Sequence, residues 1–575
     1  MAFDWLQNRT FKKIGLFARA ILPESIMVLL IAYAILKFLD PLKTLIDIQL
    51  FDESGYLYQG IRLLKDSLPA AMDAPLYAIW YFILSLVHKD QIELYYLNYR
   101  LLTLLLPLAF YVVLRRYKIP LLPASIITFF GFMISFGNLG VWPKVSHFTL
   151  LVVLASFFAA SFLQSFDYQL AVLSLGALLG SYARPELFPV YILLGIFFLI
   201  LIALPLLRKS PGKLPKAWAL GLLGWAAFSF ICLLFVGIPA SGQARLNLAF
   251  AQHFSVHWVN WNSLALDGWT DYPAIMQQAF GSSAGPWQAL TSHPDLFWRH
   301  CAANLGSLLT TFTRVFFKHA PVFLVRWRQN LENFLLLRVT VIILGYLALA
   351  GVYRLAKDEK FSWRGFLTQI QPKRLAVRWL TGLQGIQAAL LGSLCYLVIA
   401  PLSLLIIWPE QHYVFLYGTV LILAITLIAI QRNGSATLKQ ALFCGLLIAA
   451  ATPPASALLD APPTLTNVNT ISFLRSLPVR QEVVMLEGDG GYEYYLDYPI
   501  RRVRHDAKNQ DFDTFLAQEQ INMIVVSTSI LDNHRYADDP EWRRFLESYS
   551  QLGFLRQDIP NTNVWVLTKK GLLGP

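Results

Sequence analysis

The sequence predicts a polytopic α-helical membrane protein of about eleven transmembrane helices, followed by a small extracytoplasmic α/β domain. Of its 575 residues, 56% are hydrophobic and only 14% are charged. A soluble protein of this length would need far more charge on its surface. Beyond residue 453 the composition changes to that of a water-soluble domain. We therefore divide the chain into a membrane domain, residues 1–453, and a soluble domain, residues 454–575.

The spans are predicted from apolar runs long enough to cross a bilayer, which takes about 20 residues. The first three spans lie near residues 21–39, 94–113 and 119–136. The fourth and fifth form a pair that turns around Asp167, the sixth ends at Arg208, and the seventh and eighth lie near 217–236 and 333–353. The ninth and tenth form a pair that meets at Trp408, and the eleventh lies near 438–453. The apolar stretch from Ala74 to Leu84 is too short to span, so it is predicted to lie in the membrane interface.

The basic residues predict the orientation of these spans. Four of them between positions 9 and 19 precede the first span, which places the N-terminus in the cytoplasm. No A-x-A-like site follows, so the first span is predicted to be an uncleaved signal anchor. Every strong basic cluster then falls on the cytoplasmic side, including the most basic loop, residues 354–378. The first loop, residues 40–92, the long loop, residues 237–330, and the soluble domain are predicted to lie outside.

The first loop contains the acidic motif Phe51-Asp52-Glu53-Ser54-Gly55-Tyr56. Apolar residues recur at helical spacing from Tyr56 to Leu64, which predicts a short interfacial helix. Asp52 and Glu53 precede this helix, whose N-terminus favours ionised carboxylates. Two interpretations stay open. The motif supplies a catalytic base at the membrane surface, or Asp52 or Ser54 merely caps the helix.

The soluble domain shows strands alternating with a helix, which predicts a small α/β layer. Three apolar runs are predicted to be strands, namely 483–486, 524–527 and 564–567. Residues 512–520 have a helical pattern, and the glycines of Gly488-Asp489-Gly490-Gly491 predict a turn. That turn lacks the G-x-G-x-x-G spacing, so no nucleotide site is expected there.

Charge and cysteine usage narrow the possible partners. The net charge of +12 is spread over short clusters between apolar segments, so no nucleic-acid partner is expected. The four cysteines lie in or beside apolar runs, so no disulfide framework is expected. Both N-x-S/T sequences, at Asn8 and Asn433, fall on the predicted cytoplasmic side. The predicted external side therefore carries no N-glycosylation sequence, which favours the plasma (inner) membrane of a bacterium over the endoplasmic reticulum.

Short motifs recur through the predicted membrane domain in a characteristic order. They are Asp52-Glu53-x-x-Tyr56, Pro75-Leu76-Tyr77, the corner Arg184-Pro185-Glu186, the helix start Trp298-Arg299-His300 to Asn304, and the loop from Pro409 to Tyr413. In their order and predicted side of the membrane they resemble the GT-C superfamily of polyprenyl-phosphate-sugar-dependent glycosyltransferases. They are most similar to the protein O-mannosyltransferase and lipid A aminoarabinose transferase families.

This resemblance implies a GT-C fold and an enzyme that acts at the extracytoplasmic face of the membrane. A sugar would pass, with inversion, from a polyprenyl-phosphate-linked donor to the hydroxyl group of a glycan, lipid or protein acceptor. Asp52 takes the role of general base, with Glu53 as its catalytic neighbour and Tyr56 as a positioning group. A direct displacement needs one carboxylate as base, and cations that stabilise the departing phosphate.

The chain also departs from these families. Asp73 stands where the aminoarabinose group has a phosphate-binding lysine, and Gly55 stands where it has an arginine. The candidate donor-binding residues are therefore Tyr56, Lys65, Tyr77, Lys144, His147, Arg184, Arg245, Arg299 and His412. For Lys144 and Arg184, anchoring to lipid headgroups is the alternative. Residues 137–147 lack the acid that many relatives tie to a metal, so no cofactor or metal is expected to be required, with a divalent metal as the alternative.

Two other functions fit a membrane protein of this kind. A transporter or flippase for a lipid-linked glycan usually has internal repeats and ionisable residues inside the membrane. This sequence shows no repeat, and most of its charges lie at the ends of spans. A non-catalytic subunit of a glycan-assembly complex is the other alternative, with Asp52 as a helix cap. The sequence favours the glycosyltransferase.

Overall fold

The computed structural model describes residues 2–40, 42–133, 135–208, 216–239, 243–281, 285–317, 386–430, 437–452 and 464–574. The described chain is mainly helical and ends in a small sheet domain, as the composition predicts. Its helices of eight or more residues are Ala2–Leu39, Asp52–Ile61, Pro75–Ser85, Gln91–Arg116, Leu121–Thr128, Val145–Ala160, Phe166–Ser181, Phe188–Arg208, Lys216–Phe235, Gln243–Asn262, Tyr272–Phe280, Pro294–Phe317, Ile386–Ile406, Gln411–Ala429, Leu438–Ala451, Thr466–Ser476, Phe512–Glu519 and Pro540–Ser548.

Five of the described helices are long and apolar enough to cross a membrane. They are Ile21–Leu39, Gln91–Arg116, Pro185–Ala203, Ile386–Ile406 and Gln411–Ala429. Five shorter apolar helices are Pro75–Ser85, Leu121–Met133, Val145–Ala160, Ala219–Phe235 and Leu438–Ile448. Length and composition thus support a membrane protein with several spans. The predicted span at 333–353 and the basic loop at 354–378 lie outside the described residues.

The first loop forms two short helices that pack against each other. The helix Asp52–Ile61, here called the acidic helix, contacts the helix Pro75–Ser85. Gly60 allows the close approach, because a Cβ atom at this position would lie 2.4 Å from the Cβ of Tyr81. Pro75 begins the second helix, a position where proline loses no hydrogen bond. With 11 residues, this helix is too short to cross a bilayer, as the sequence predicts.

The C-terminal sheet domain, residues 464–574, contains a mixed five-stranded sheet in the order β2-β1-β3-β5-β4. The strands are β1 (Val483–Glu487), β2 (Ile500–Arg504), β3 (Met523–Val526), β4 (Phe554–Asp558) and β5 (Trp565–Lys569). β1 pairs in parallel with β2 and β3, whereas β5 pairs antiparallel with β3 and β4. The prediction of β1, β3 and β5 is confirmed, but β2 and β4 are not among the predicted strands.

The C-terminal sheet domain docks on the first loop through polar contacts. The Asp47 carboxylate accepts hydrogen bonds from the backbone N–H groups of Asn467 and Val468, at 2.7 and 3.0 Å. Farther along the loop, Arg475 forms an ion pair with Asp90, with 2.6 Å between Nη1 and Oδ2. These contacts place the carboxyl end of β1 and the turn that follows it beside the acidic motif.

Candidate active site

The acidic helix begins at Asp52, with Phe51 as its N-cap. Within the described ranges, no side-chain hydrogen bond caps this end of the helix. The Ser54 hydroxyl instead lies 2.9 Å from the Tyr495 hydroxyl of the sheet domain. Capping by Asp52 or Ser54, which the sequence left open, is therefore not what the structure shows.

The two acids of the motif have opposite environments. Asp52 is exposed, whereas Glu53 is only 1% exposed. Oε1 of Glu53 accepts hydrogen bonds from the hydroxyls of Tyr77 and Tyr81, each at 2.5 Å, and from the Asn98 amide at 3.1 Å. Oε2 accepts the backbone N–H of Lys144 at 2.7 Å. Glu53 thus connects its own helix, from inside the protein, to three other segments of the chain: the helices Pro75–Ser85 and Gln91–Arg116 and the backbone at Lys144.

These contacts assign Glu53 to the packing of the site. Burial raises the pKa of Glu53, and the hydrogen bonds from Tyr77, Tyr81 and the Lys144 amide oppose that rise. Asn98 also donates to both tyrosine hydroxyls at 2.8 Å, so the group forms one connected network. Such networks fix the relative positions of the helices that contribute to them. The hydroxyl of Tyr77, a predicted donor-binding residue, is thus already hydrogen-bonded within this network.

Lys144 and His147 also point into the protein. Lys144 is buried, with Nζ 2.9 Å from the Asn138 carbonyl oxygen and 3.2 Å from Nε2 of His147. Its ammonium lies 4.1 Å from the ring centroid of Tyr99. Nε2 of His147 is 2.8 Å from the Gly137 carbonyl oxygen. Lys144 and Nε2 of His147 are therefore engaged by the protein itself, whereas Nδ1 of His147 is buried without a hydrogen-bond partner among the described residues.

Arg184 is a buried cation with hydrogen-bonding capacity to spare. Its Nε donates to the Ser146 hydroxyl at 3.0 Å, and Nη1 lies 3.4 Å from the Tyr413 hydroxyl. Its Nη2 is buried and has no hydrogen-bond partner among the described residues. Although burial opposes it, the nearby oxygens of Tyr413, Glu186, Tyr56 and Asp52 raise the pKa of Arg184. The guanidinium therefore stays charged, and an unpaired buried donor of this kind favours an anionic ligand.

Asp52, Tyr56 and Arg245 share the surroundings of Arg184. Burial raises the pKa of Tyr56, the charges of Arg184 and Arg245 oppose this rise, and Asp52 adds to it. Arg245 lies 3.7 Å from Asp73, and both side chains are partly exposed. One exposed carboxylate and two guanidinium groups thus lie within electrostatic range of the Tyr56 phenol.

His412 and Tyr413 border the same cluster. The two rings are adjacent, with centroids 4.1 Å apart, and the Arg184 guanidinium carbon lies 4.8 Å from the centroid of Tyr413. His412 is buried. Its helix, Gln411–Ala429, brings a distant part of the chain to Arg184 through the neighbouring Tyr413.

Two of the predicted donor-binding cations lie elsewhere. Lys65 is exposed in the short helix Leu63–Asp66, where its charge lowers the pKa of Asp66, an effect secondary to that of the hydrogen-bonded Arg62. Arg299 is exposed and lies 4.1 Å from the ring centroid of Trp261, within an aromatic cluster of the long loop. That cluster also holds His257, stacked between Trp261 and Trp408.

Some residues of the site were not singled out in the sequence. Tyr81 lies four residues after the candidate Tyr77 and so shares one face of a helix with it, which is a signal that sequence reasoning could have used. Asn98 is a polar residue within a long apolar helix, and such residues usually have a specific partner. Ser146 gave no local signal, because its role depends on the distant Arg184.

Metal binding has no preformed centre in the part of the chain that the structure describes. No three His, Cys, Asp or Glu side chains converge there as ligands. Independence from metals stays a prediction.

Known proteins offer no template for this site. Comparisons with protein-family models, curated proteins and solved structures find no match in any of the three. The functional assignment therefore depends on the arrangement of side chains around Asp52.

Proposed function

We propose that this protein is an integral-membrane glycosyltransferase of the GT-C type. It moves a sugar from a polyprenyl-phosphate-linked donor to the hydroxyl group of a glycan, lipid or protein acceptor, with inversion at the anomeric carbon. The observation that carries the proposal is an exposed carboxylate, Asp52, whose charge acts on a buried and incompletely hydrogen-bonded guanidinium, Arg184. Sugar transfer by membranes containing the parent protein or the Asp52→Asn variant tests it directly.

The reaction uses these two charges for different tasks. The Asp52 carboxylate takes the proton of the acceptor hydroxyl as its oxygen attacks the anomeric carbon. The new carbon–oxygen bond forms on the face opposite the phosphate, and the bond to the phosphate oxygen breaks. The phosphate leaves with the electron pair of that bond, and the cationic groups stabilise its added charge. An exposed acid suits the base role better than Glu53, whose oxygens already accept four hydrogen bonds.

Arg184 is the principal donor-binding residue in this proposal. A guanidinium presents a planar fork that matches phosphate oxygens, which an ammonium does not. Nη2 of Arg184 has no hydrogen-bond partner in the part of the chain that the structure describes, so it can join such a contact. Arg245 is partly exposed across from Asp73. In this proposal Tyr56, His412 and Tyr413 contact the donor headgroup beside Arg184.

Arg184→Lys is expected to weaken binding of a short-chain polyprenyl phosphate by about 10- to 100-fold, because hydrogen bonds to charged groups contribute about 1.5–3 kcal/mol. The variant keeps the positive charge, so the helices around it are expected to stay folded. Titration of the purified protein with this lipid measures the effect. Arg62→Lys is the matched control, since Arg62 lies in the first loop and already pairs with Asp66. Equal affinities for Arg184→Lys and the parent would contradict the assignment.

The proposed reaction requires that the first loop lie on the external side of the membrane. In a bacterial inner membrane with about eleven spans and a cytoplasmic N-terminus, the first loop, the long loop and the C-terminal domain face outward. Transfer at that face matches a donor lipid that stays in the bilayer while its sugar is presented to water.

A cysteine at Leu64, which is 85% exposed in the first loop, is expected to react with a membrane-impermeant maleimide in intact cells. A cysteine at the exposed Lys118, on the predicted cytoplasmic side, is expected to react only after the membrane is opened. Mass-shift labelling of the two variants reads out both positions. The reverse pattern would overturn the topology and, with it, the site of transfer.

A further inference from the structure

The C-terminal domain reaches the acidic helix through the turn Gly488–Gly491, here called the glycine turn. The Gly490 carbonyl accepts a hydrogen bond from the N–H of Phe51. Phe51 has φ 59° and ψ −125°, a conformation that residues other than glycine rarely adopt. Because Phe51 is the N-cap, its backbone sets the direction in which the helix starts and the position of Asp52 next to it.

The glycine turn is built for this close approach. Gly490 and Gly491 have φ values of 76° and 134°, which favour glycine. A Cβ atom at Gly490 would lie 2.2 Å from the ring of Phe51, and one at Gly491 would lie 3.3 Å from Cβ of Ser54. Side chains at these positions would push the turn and the acidic helix apart.

A buried carboxylate at the end of β1 holds the glycine turn. Glu487 is 0% exposed, and its side chain accepts the N–H groups of Gly490 and Gly491 at 2.6 and 3.2 Å. It also forms an ion pair with Arg502 on β2, with 2.5 Å between Oε1 and Nε. Hydrogen bonds from amides to a charged acceptor are strong and directional. Glu487 is thus connected to Phe51 through one turn.

We propose that Glu487 is a positioning residue for Asp52: through the glycine turn and Phe51, the C-terminal domain orients the exposed acid toward Arg184. This role rests on the proposed function of Asp52. The domain itself is anchored to the first loop by the separate contacts at Asp47 and Asp90. Loss of Glu487 is therefore expected to release the start of the acidic helix while the domain stays docked.

A spin label on the acidic helix tests this role without any sugar donor. Gly55→Cys suits the label, because a Cβ atom there meets no described atom within 4 Å, and Asp52 is left intact. A second label at Leu64→Cys reports on the rest of the loop. Both are placed in full-length protein whose native cysteines are replaced by alanine, namely Cys232, Cys301, Cys395 and Cys444.

In Glu487→Ala, the label at position 55 is expected to tumble severalfold faster than in the parent, while the label at position 64 is unchanged. Gly490→Ala is expected to do the same, since its Cβ displaces Phe51. Glu493→Gln is the matched control, because Glu493 also faces Arg502 but accepts neither glycine amide. It is expected to leave both labels as in the parent.

Two results would overturn the positioning role. One is a label at position 55 that stays immobilised in both Glu487→Ala and Gly490→Ala. The other is equal mobilisation at positions 55 and 64, which indicates loosening of the whole loop rather than of the helix start. Neither reading depends on sugar transfer, so failure of this role is distinguishable from failure of Asp52 as a base.

Discussion

Asp52→Asn is expected to lower sugar transfer by about 100- to 10,000-fold, the usual contribution of a positioned general base. Asparagine has nearly the same shape as aspartate, but it cannot take the proton of the acceptor hydroxyl. Asp52 is exposed and does not cap its helix, so the change is expected to leave folding and membrane insertion intact. Transfer of a radiolabelled sugar from polyprenyl-phosphate-linked donors in isolated membranes measures the loss.

The matched control is Asp66→Asn in the same loop. Asp66 is exposed, pairs with Arg62 and lies 14 residues after Asp52 along the chain. It is expected to keep the transfer rate of the parent. Normal transfer by Asp52→Asn would remove Asp52 as the base and would favour a non-catalytic subunit, which needs no proton acceptor at this position.

Much of the coarse organisation could be predicted from the sequence. Composition and hydropathy predict a helical membrane protein, and the length of the run from Ala74 to Leu84 distinguishes a short helix from a span. The predicted strands β1, β3 and β5 are apolar runs, which is the usual pattern of buried strands. β2, with the sequence Ile500-Arg501-Arg502-Val503-Arg504, has no such run, since it lies at the edge of the sheet.

The finer arrangement depends on contacts between distant residues. Adjacent positions on a helix point about 100° apart, so the sequence shows that Asp52 and Glu53 diverge but not which one is buried. Likewise, the sequence does not show that the Lys144 side chain is buried, because its burial depends on the hydrogen bond to the Asn138 carbonyl oxygen. In the sequence, Glu487 simply follows the last residue of a predicted strand. Its connection to Phe51 through Gly490 depends on the contact between the glycine turn and the acidic helix, which the sequence does not show.

Glu53→Ala is expected to cost about 3–5 kcal/mol of stability, the usual range for removing one partner of a buried charged network. The change leaves the hydroxyls of Tyr77 and Tyr81 and the Lys144 amide without their acceptor in the protein interior. Each unsatisfied buried group costs about 1–3 kcal/mol, and the Asn98 amide offsets part of this by staying bonded to the tyrosines. Thermal unfolding in detergent, followed by tryptophan fluorescence, is expected to shift to lower temperature.

Asp52→Ala and Glu53→Ala are expected to affect different properties, namely sugar transfer and thermal stability. Asp52→Ala is expected to abolish transfer with little change in unfolding temperature, because its side chain is exposed. Glu53→Gln keeps one acceptor for the tyrosines but turns an amide donor toward the Lys144 N–H, so it is expected to destabilise less than Glu53→Ala. If Glu53→Gln unfolded at the temperature of the parent and still lost transfer, Glu53 would be the better candidate base. The buried network would then be part of the reaction rather than its scaffold.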